Sequence, residues 1–278
     1  MTTLRSPRTT VPNGACDVHV HVYDPAYKLA PTALGPAPDA PLTAYLEQRE
    51  RLGLSRTVFV QPTAYGADNS CMLAAIAKLD GSARGVAMVG PTVTTAELAR
   101  LDAGGIRGFR MRAFPGGVLA FDDLAKVAAR AALLNWHVDL EIDGRTLPDR
   151  EVLLARLPLP IVVDHIGKFG EPVALDHPGV TALRRLLATG HVYVKLAAPY
   201  DSSRSGGPAW ADLEPLIAVL VHDAPERLLW ASNWPHAALP APQRPNDADW
   251  LDRLAELVPD KNARHSVLVE APATLYRF

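Results

Sequence analysis

The chain has 278 residues, 48% of them hydrophobic and 21% charged, which is enough to bury one large core. A formal charge of −2 with no long run of one sign argues against nucleic acid or an anionic membrane surface as partner, and the apolar runs are broken by charges or prolines well short of a bilayer's thickness. Two cysteines, Cys16 and Cys71, make neither a disulfide framework nor a cysteine-based metal site.

The N-terminal MTTLRSPRTTVPNG has no hydrophobic signal core, so a soluble cytoplasmic protein is expected. The 25 prolines are scattered as loop punctuation, which favours a single domain over residues 1–278 with a flexible N-terminus over 1–13. Monomer and homo-oligomer both remain open.

Taken in chain order, Ala15 to Asp24 (ACDVHVHVYD) reads as the first strand. Alternation puts His19 and His21 on one face and Val18, Val20 and Val22 on the other. Two converging imidazoles suit a metal pair, or two polar groups gripping one substrate oxygen. Pro25 to Pro41 is a Pro/Ala/Gly-rich loop of a length usually kept for function, a flap over a site.

A rhythm of helix and strand comes next. Leu42–Leu52 reads as helix and Thr57–Pro62 as a short buried strand; Asn69–Leu79 as helix and Gly85–Val89 as strand. Thr95–Leu101, opened by a threonine cap, leads to the strand Ile106–Arg112, and Asp122–Leu134 to Trp136–Ile142. Leu147–Leu157 leads to Pro160–His165, Gly179–Ala188 to His191–Leu196, and Trp210–His222 to Arg227–Asn233, with helices from Asp247 onward. About eight strand–helix units at this length predict an α/β fold, the (β/α)8 TIM barrel. An open doubly wound sheet is the runner-up, but it calls for a Gly-rich turn where this chain has H-x-H.

In such a barrel the chemistry sits at the carboxyl ends of the strands. His19, His21, Gln61, Arg110, Arg112, Glu141, Asp164, His165, Lys195 and Asn233 all fall there, at the ends of otherwise apolar strands.

Three segments carry a family resemblance: H-x-H (His19, His21), V-V-D-H-I-G-K (Val162 to Lys168) and L-L-W-A-S-N-W-P-H (Leu228 to His236). Together they resemble the amidohydrolase superfamily, in the branch that contains 2-pyrone-4,6-dicarboxylate lactonase and D-galactarolactone isomerase. The likeness runs from Gly14 to Phe278. It implies a barrel in which first-strand histidines, a sixth-strand histidine and an eighth-strand acid surround the reacting carbonyl. Those places are His19, His21, His165 and Asn233. The last departs from the hydrolytic pattern, where an aspartate activates water, because an amide has no lone pair basic enough to take that proton. The N-W-P-H segment and Tyr200–Arg204 (Y-D-S-S-R) resemble the isomerase, so the sequence sits between two activities.

Arg107, Arg110 and Arg112 lie on or beside the fourth strand. Guanidinium groups inside a funnel need an anion, and bidentate carboxylate recognition is their commonest use, so a carboxylate-bearing substrate is expected. Lys168, Lys195 and Arg204 are expected to add to the positive field, and Gln61, Tyr200 and Ser203 to hydrogen-bond substrate hydroxyls. Glu141 would repel a bound carboxylate unless it pairs with an arginine or a metal; free, it could serve as general base.

His19, His21, Glu141 and His165 are ligand types for one zinc-like ion. The superfamily's binuclear pattern needs a fourth-strand ligand where Arg110 or Arg112 stands, so no metal cofactor is expected, with a single zinc ion as the alternative. The function expected is hydrolysis of a carboxylate-bearing lactone. Lactone isomerisation by intramolecular acyl migration is the alternative, and a mononuclear-metal decarboxylase or a non-catalytic small-acid binder lies further off.

Overall fold

Parallel strands alternate with helices along the whole chain because each short apolar strand is followed by a segment with helical periodicity that covers it. The computed structural model describes residues 5–278. The strands are β1 (Cys16–Val20), β2 (Arg56–Val60), β3 (Ala83–Ala87), β4 (Ile106–Arg112), β5 (His137–Glu141), β6 (Ile161–Val163), β7 (Val192–Leu196) and β8 (Leu228–Trp230). All seven successive pairs are parallel, in sheet order β1 to β8. A parallel bridge from Val20 to Trp234, with His21 N–H donating to Trp234 O at 2.9 Å, brings the end of the sheet back to its start. The fold is a nearly closed (β/α)8 TIM barrel.

The main covering helices are α1 (Leu42–Leu52), α2 (Ser70–Ala77), α3 (Thr95–Ala103), α4 (Phe121–Ala132), α5 (Leu147–Leu154), α6 (Pro178–Ala188), α7 (Glu214–Asp223) and α8 (Asp247–Leu257). The short helices α9 (Lys261–His265) and α10 (Ala271–Tyr276) end the chain. Thr94 caps α3 by accepting from Glu97 N–H at 3.1 Å, as the sequence predicts. Among the described residues, no helix is long and apolar enough to cross a membrane.

Two apolar layers form. The larger lies between strands and helices; the smaller contains Cys16, Val18, Val58, Val60, Val86, Val162 and Leu229 with Leu275 and Tyr276 of α10. Gly108 on β4 faces His137 on β5, where a Cβ would stand 2.5 Å from the imidazole. Only glycine leaves that ring its place.

The first strand departs from simple alternation. Its pairing with β2 shifts register between Asp17 and Val20. Val18 consequently packs in the smaller cluster, whereas Val20 and Val22 pack in the larger one. The expectation of three valines on one face is corrected: a bulge inserts one residue and re-aims the side chains after it.

The segment expected to be flexible makes contacts from Arg5 onward. Arg5 pairs with Asp249 and Asp252, and Arg8 and Thr9 donate backbone N–H groups to Asp252 at 2.7 and 2.8 Å. Residues 1–4 of that segment lie outside the described residues.

Candidate active site

A cavity of about 490 Å³ opens where the strands end. Its walls include His21, Arg110, Arg112, Glu141, His165, Lys168, Tyr200, Asp201 and Asn233, and its rim is the stretch Leu34 to Pro38 of the Pro25–Pro41 loop. That loop is pinned at its base by Tyr23 N–H to Ala40 O at 3.0 Å, and in its span by Ala30 N–H to Ala64 O at 2.8 Å.

The imidazoles come together. Ring centroids of His19 and His21 are 4.9 Å apart, as are those of His19 and His165. His21 Nδ1 lies 2.7 Å from Val60 O, so Nδ1 carries the hydrogen and the Nε2 lone pair is left for the cavity. His19 is fully buried below it, with Nδ1 3.3 Å from Lys195 Nζ and Nε2 unpartnered.

Asp17 holds this geometry. Its carboxylate accepts from His19 N–H and Ser232 N–H at 3.3 and 3.0 Å and from Ser232 Oγ at 2.5 Å, while Asn233 N–H donates to His19 O at 3.0 Å. The β1 bulge and the turn after β8 are thereby one unit. The backbone is strained where the side chains must be aimed: His165, Ile166, Lys168, Asn233 and His236 are all non-glycine residues at positive φ.

The cations are organised by Glu141. Arg110 Nη2 lies 2.6 Å from its Oε2, Arg112 pairs with Oε1, and Lys168 Nζ is 2.9 Å from Oε1 and 2.7 Å from Asp201. Burial pushes the Glu141 carboxyl up, but Arg110, Lys168 and Arg112 outweigh it and hold the group well below the usual range. Glu141 therefore takes the paired alternative and is no general base. Three cations against two carboxylates leave this wall with one net positive charge.

Below the cavity Lys195 pairs with Asp139 and, at 3.1 Å, with Asp164; all three side chains are fully buried. Burial lowers the Lys195 ammonium, yet the two carboxylates raise it further and keep it charged.

Burial, with Arg110 adding to it, pushes His21 down to about 3. Burial first, with Lys195 acting on His19 and with His19 and Lys168 acting on His165, holds those two well below the ordinary imidazole value. All three are neutral near pH 7. In the unfolded chain each binds a proton near pH 6.5, so unfolding takes up protons below that pH and stability falls as pH falls. Asp17, raised by burial to about 7, works in the opposite sense by holding a proton that the unfolded chain releases. Three groups against one leave roughly 2–3 kcal/mol lost per pH unit at the steepest point between pH 6 and 4.5. Urea unfolding at pH 7.5, 6 and 5 measures this, and a flat profile would contradict buried neutral imidazoles.

Several expected site residues stand elsewhere. The Gln61 amide donates to Gly66 O and Asp68 O at 3.0 and 2.6 Å, so it fastens the turn after β2, and only its backbone carbonyl reaches Arg110. Ser203 Oγ donates to Asp212 at 2.6 Å, and Arg204, 70% exposed, points to Glu171 at 3.7 Å. Neither lines the cavity, because Asp212 also collects the backbone N–H groups of Arg204 and Ser205 and pulls that turn outward. Lys195 lies beneath the cavity wall, and Arg107 pairs with Asp102 at 3.2 Å. Sequence reasoning missed Asp201 and Asp247. His236 was within reach, since it closes the N-W-P-H segment.

For a metal, the group His19, Asp164 and His165 brings ligand atoms within 4.8 Å of one another, a possible ion site. His21 and Glu141 of the expected set stand outside that group. Its one carboxylate already shares Oδ1 with the Lys195 ammonium, and Arg110 bears on His19 and His21 from the other side. A dication would meet two fixed cations there, so this donor set fits one poorly.

A family model described as Amidohydrolase matches residues 16–278. The chain belongs to the amidohydrolase family. This amidohydrolase is 34% identical over 279 residues to D-galactarolactone isomerase of Agrobacterium fabrum, covering 98% of this chain and 94% of that protein. It is 34% identical over 272 residues to 4-sulfomuconolactone hydrolase of Rhizobium radiobacter, covering 96% and 91%. An apo crystal structure of an Agrobacterium tumefaciens protein superposes on the amidohydrolase with a TM-score of 0.91 at 34% identity, covering 98% of each chain.

Proposed function

We propose that this amidohydrolase is a lactonase for a carboxylate-bearing lactone, adding an oxygen nucleophile to the ring carbonyl. The observation that carries the reading is the cation wall of Arg110, Arg112 and Lys168, one charge in excess, facing a cavity whose imidazoles are neutral. A substrate carboxylate supplies the missing charge, and bidentate pairing with a guanidinium orients the ring. His165 and the cation wall stabilise the negative charge that grows on the carbonyl oxygen. His21 Nε2, which carries no hydrogen, serves as an acceptor rather than as an oxyanion donor. The two lactone-named relatives support the substrate class.

One observation favours isomerisation as a second reading: no wall carboxylate is free to activate water. Glu141 and Asp201 are ion-paired, and Asn233 stands at the end of the eighth strand. A hydroxyl within the substrate is already held beside the carbonyl, and proximity offsets a weaker base.

Incubation with 2-pyrone-4,6-dicarboxylate and with D-galactarolactone, followed by proton NMR, separates the two: ring opening marks the lactonase, interchange of ring size the isomerase. No change in any carboxylated lactone would defeat both and leave the small-acid binder. The reaction proposed is independent of metal. Activity that disappears on chelation and returns with zinc would overturn that part. Asn233→Asp is expected to raise ring opening by water tenfold or more, because a positioned base is worth about 10²–10⁴. Unchanged partition between water and internal hydroxyl would show that this position does not control the outcome.

A further inference from the structure

We infer that Tyr200, backed by His236 and Asp247, is the proton relay of this site and takes over the work of the carboxylate that Asn233 lacks. This rests on the lactone reading above. Asn233 Nδ2 donates to the Tyr200 hydroxyl at 2.7 Å. That hydroxyl lies 3.1 Å from His236 Nδ1, and His236 Nε2 lies 3.2 Å from Asp247 Oδ1. Gln48 Nε2 donates to Asp247 Oδ2 at 2.5 Å.

The two ends dictate the direction of the chain. An ionised Asp247 can only accept, so Nε2 of His236 carries the hydrogen and Nδ1 presents its lone pair. Tyr200 then donates to Nδ1. A phenol oxygen has two acceptor sites; Asn233 fills one, and the other is left for a group in the cavity, which Tyr200 lines.

The parts come from separate elements: the turn after β7, the turn after β8, the start of α8 and the middle of α1. Asn233 and His236 are both held at positive φ to meet Tyr200, and His236 and Asp247 are buried. Burial raises the Tyr200 phenol, so it keeps its proton at rest and acts by handing it on. Both carboxylates of the cavity wall are spent: Glu141 and Asp201 are ion-paired.

In the step proposed, the nucleophile oxygen bonds to the ring carbonyl carbon and the carbonyl π pair moves to its oxygen. The nucleophile's proton passes to the Tyr200 oxygen as the phenol proton passes to His236 Nδ1, and Asp247 faces the resulting imidazolium. On collapse the ring C–O bond breaks, and the leaving oxygen recovers the proton along the same path. Water gives the open hydroxy acid; an internal hydroxyl gives the other lactone. Tyr200 is the catalytic residue, and His236 and Asp247 are positioning residues behind it.

Two measurements test this. Nitrogen-15 NMR of histidine-labelled protein, assigned with His236→Gln, is expected to show His236 protonated at Nε2 and bare at Nδ1. The opposite tautomer overturns the relay whether or not a substrate is known. With a lactone that the wild type turns over, Tyr200→Phe and His236→Gln are each expected to lower kcat about 10²-fold, within the range of general acid–base catalysis, with KM changed less than threefold. The wild type is expected to show a bowed proton inventory in mixed H2O and D2O, which becomes linear in Tyr200→Phe. A kcat within threefold of wild type, or a loss confined to KM, overturns the relay. If the wild type turns over no carboxylated lactone, the substrate reading fails while the tautomer still decides the relay.

Discussion

Lys195→Met is expected to cost about 3–5 kcal/mol of stability, the usual penalty for removing one member of a buried ion cluster. Lys195, Asp139 and Asp164 are all fully buried, and the ammonium is what balances two carboxylates at the barrel floor. Methionine matches the volume of the stem, so the loss reports charge rather than a cavity. Acid relieves the repulsion between two buried carboxylates left without a counter-ion, and this offsets part of the loss from the buried imidazoles. The variant's stability is therefore expected to fall less steeply than that of the wild type as pH falls toward 5. Urea unfolding across that range measures both effects. A loss below 1 kcal/mol would show that the ammonium is not what balances the two carboxylates. The triple variant with Asp139→Asn and Asp164→Asn, which removes the charge altogether, is expected to be more stable than Lys195→Met alone.

Arg110→Ala is expected to lower kcat/KM on a carboxylated lactone by about 10²–10³, because truncating one partner of a buried charge pair costs 2–5 kcal/mol. Arg110 is only 4% exposed, spans Glu141 and the Gln61 carbonyl, and supplies one of the three wall cations. Its removal returns the wall to neutrality and leaves a substrate carboxylate without its surplus charge. Arg112, 16% exposed, is wetter, and Arg112→Ala is expected to cost about tenfold on the same scale. Steady-state kinetics on both variants checks the order. Equal and small losses would mean that the wall serves the fold and not the substrate.

The cation wall also explains an acid beside an anion site. Glu141 touches Arg110, Arg112 and Lys168, and keeps three like charges from repelling one another. With Asp201 paired to Lys168 as well, the wall presents one excess charge instead of three. Repulsion between Glu141 and a substrate carboxylate, expected if Glu141 were free, is thereby cancelled.

The chain order of strands and helices was readable from residues alone. Short apolar runs alternate with helical periods, and a parallel barrel is what eight such units can close into. Strand-end polarity marked His21, Arg110, Arg112, Glu141, His165 and Asn233, all of which line the cavity, because a strand that is apolar until its last residues has few reasons to end in charge. Other matters were decided only by the tertiary structure. The bulge that turns Val18 away from Val20 depends on pairing with β2, which no local pattern encodes. Gln61 and Ser203 carry the right side chains for substrate contact, yet Gly66, Asp68 and Asp212 claim them first. Asp247 and Gln48 gave no signal, being polar residues on helices like many others, until folding set them behind His236. Residue types and their period thus determine which elements form and where charge collects. Which polar group meets which depends on contacts between residues up to 244 positions apart, and only the closed barrel brings those together.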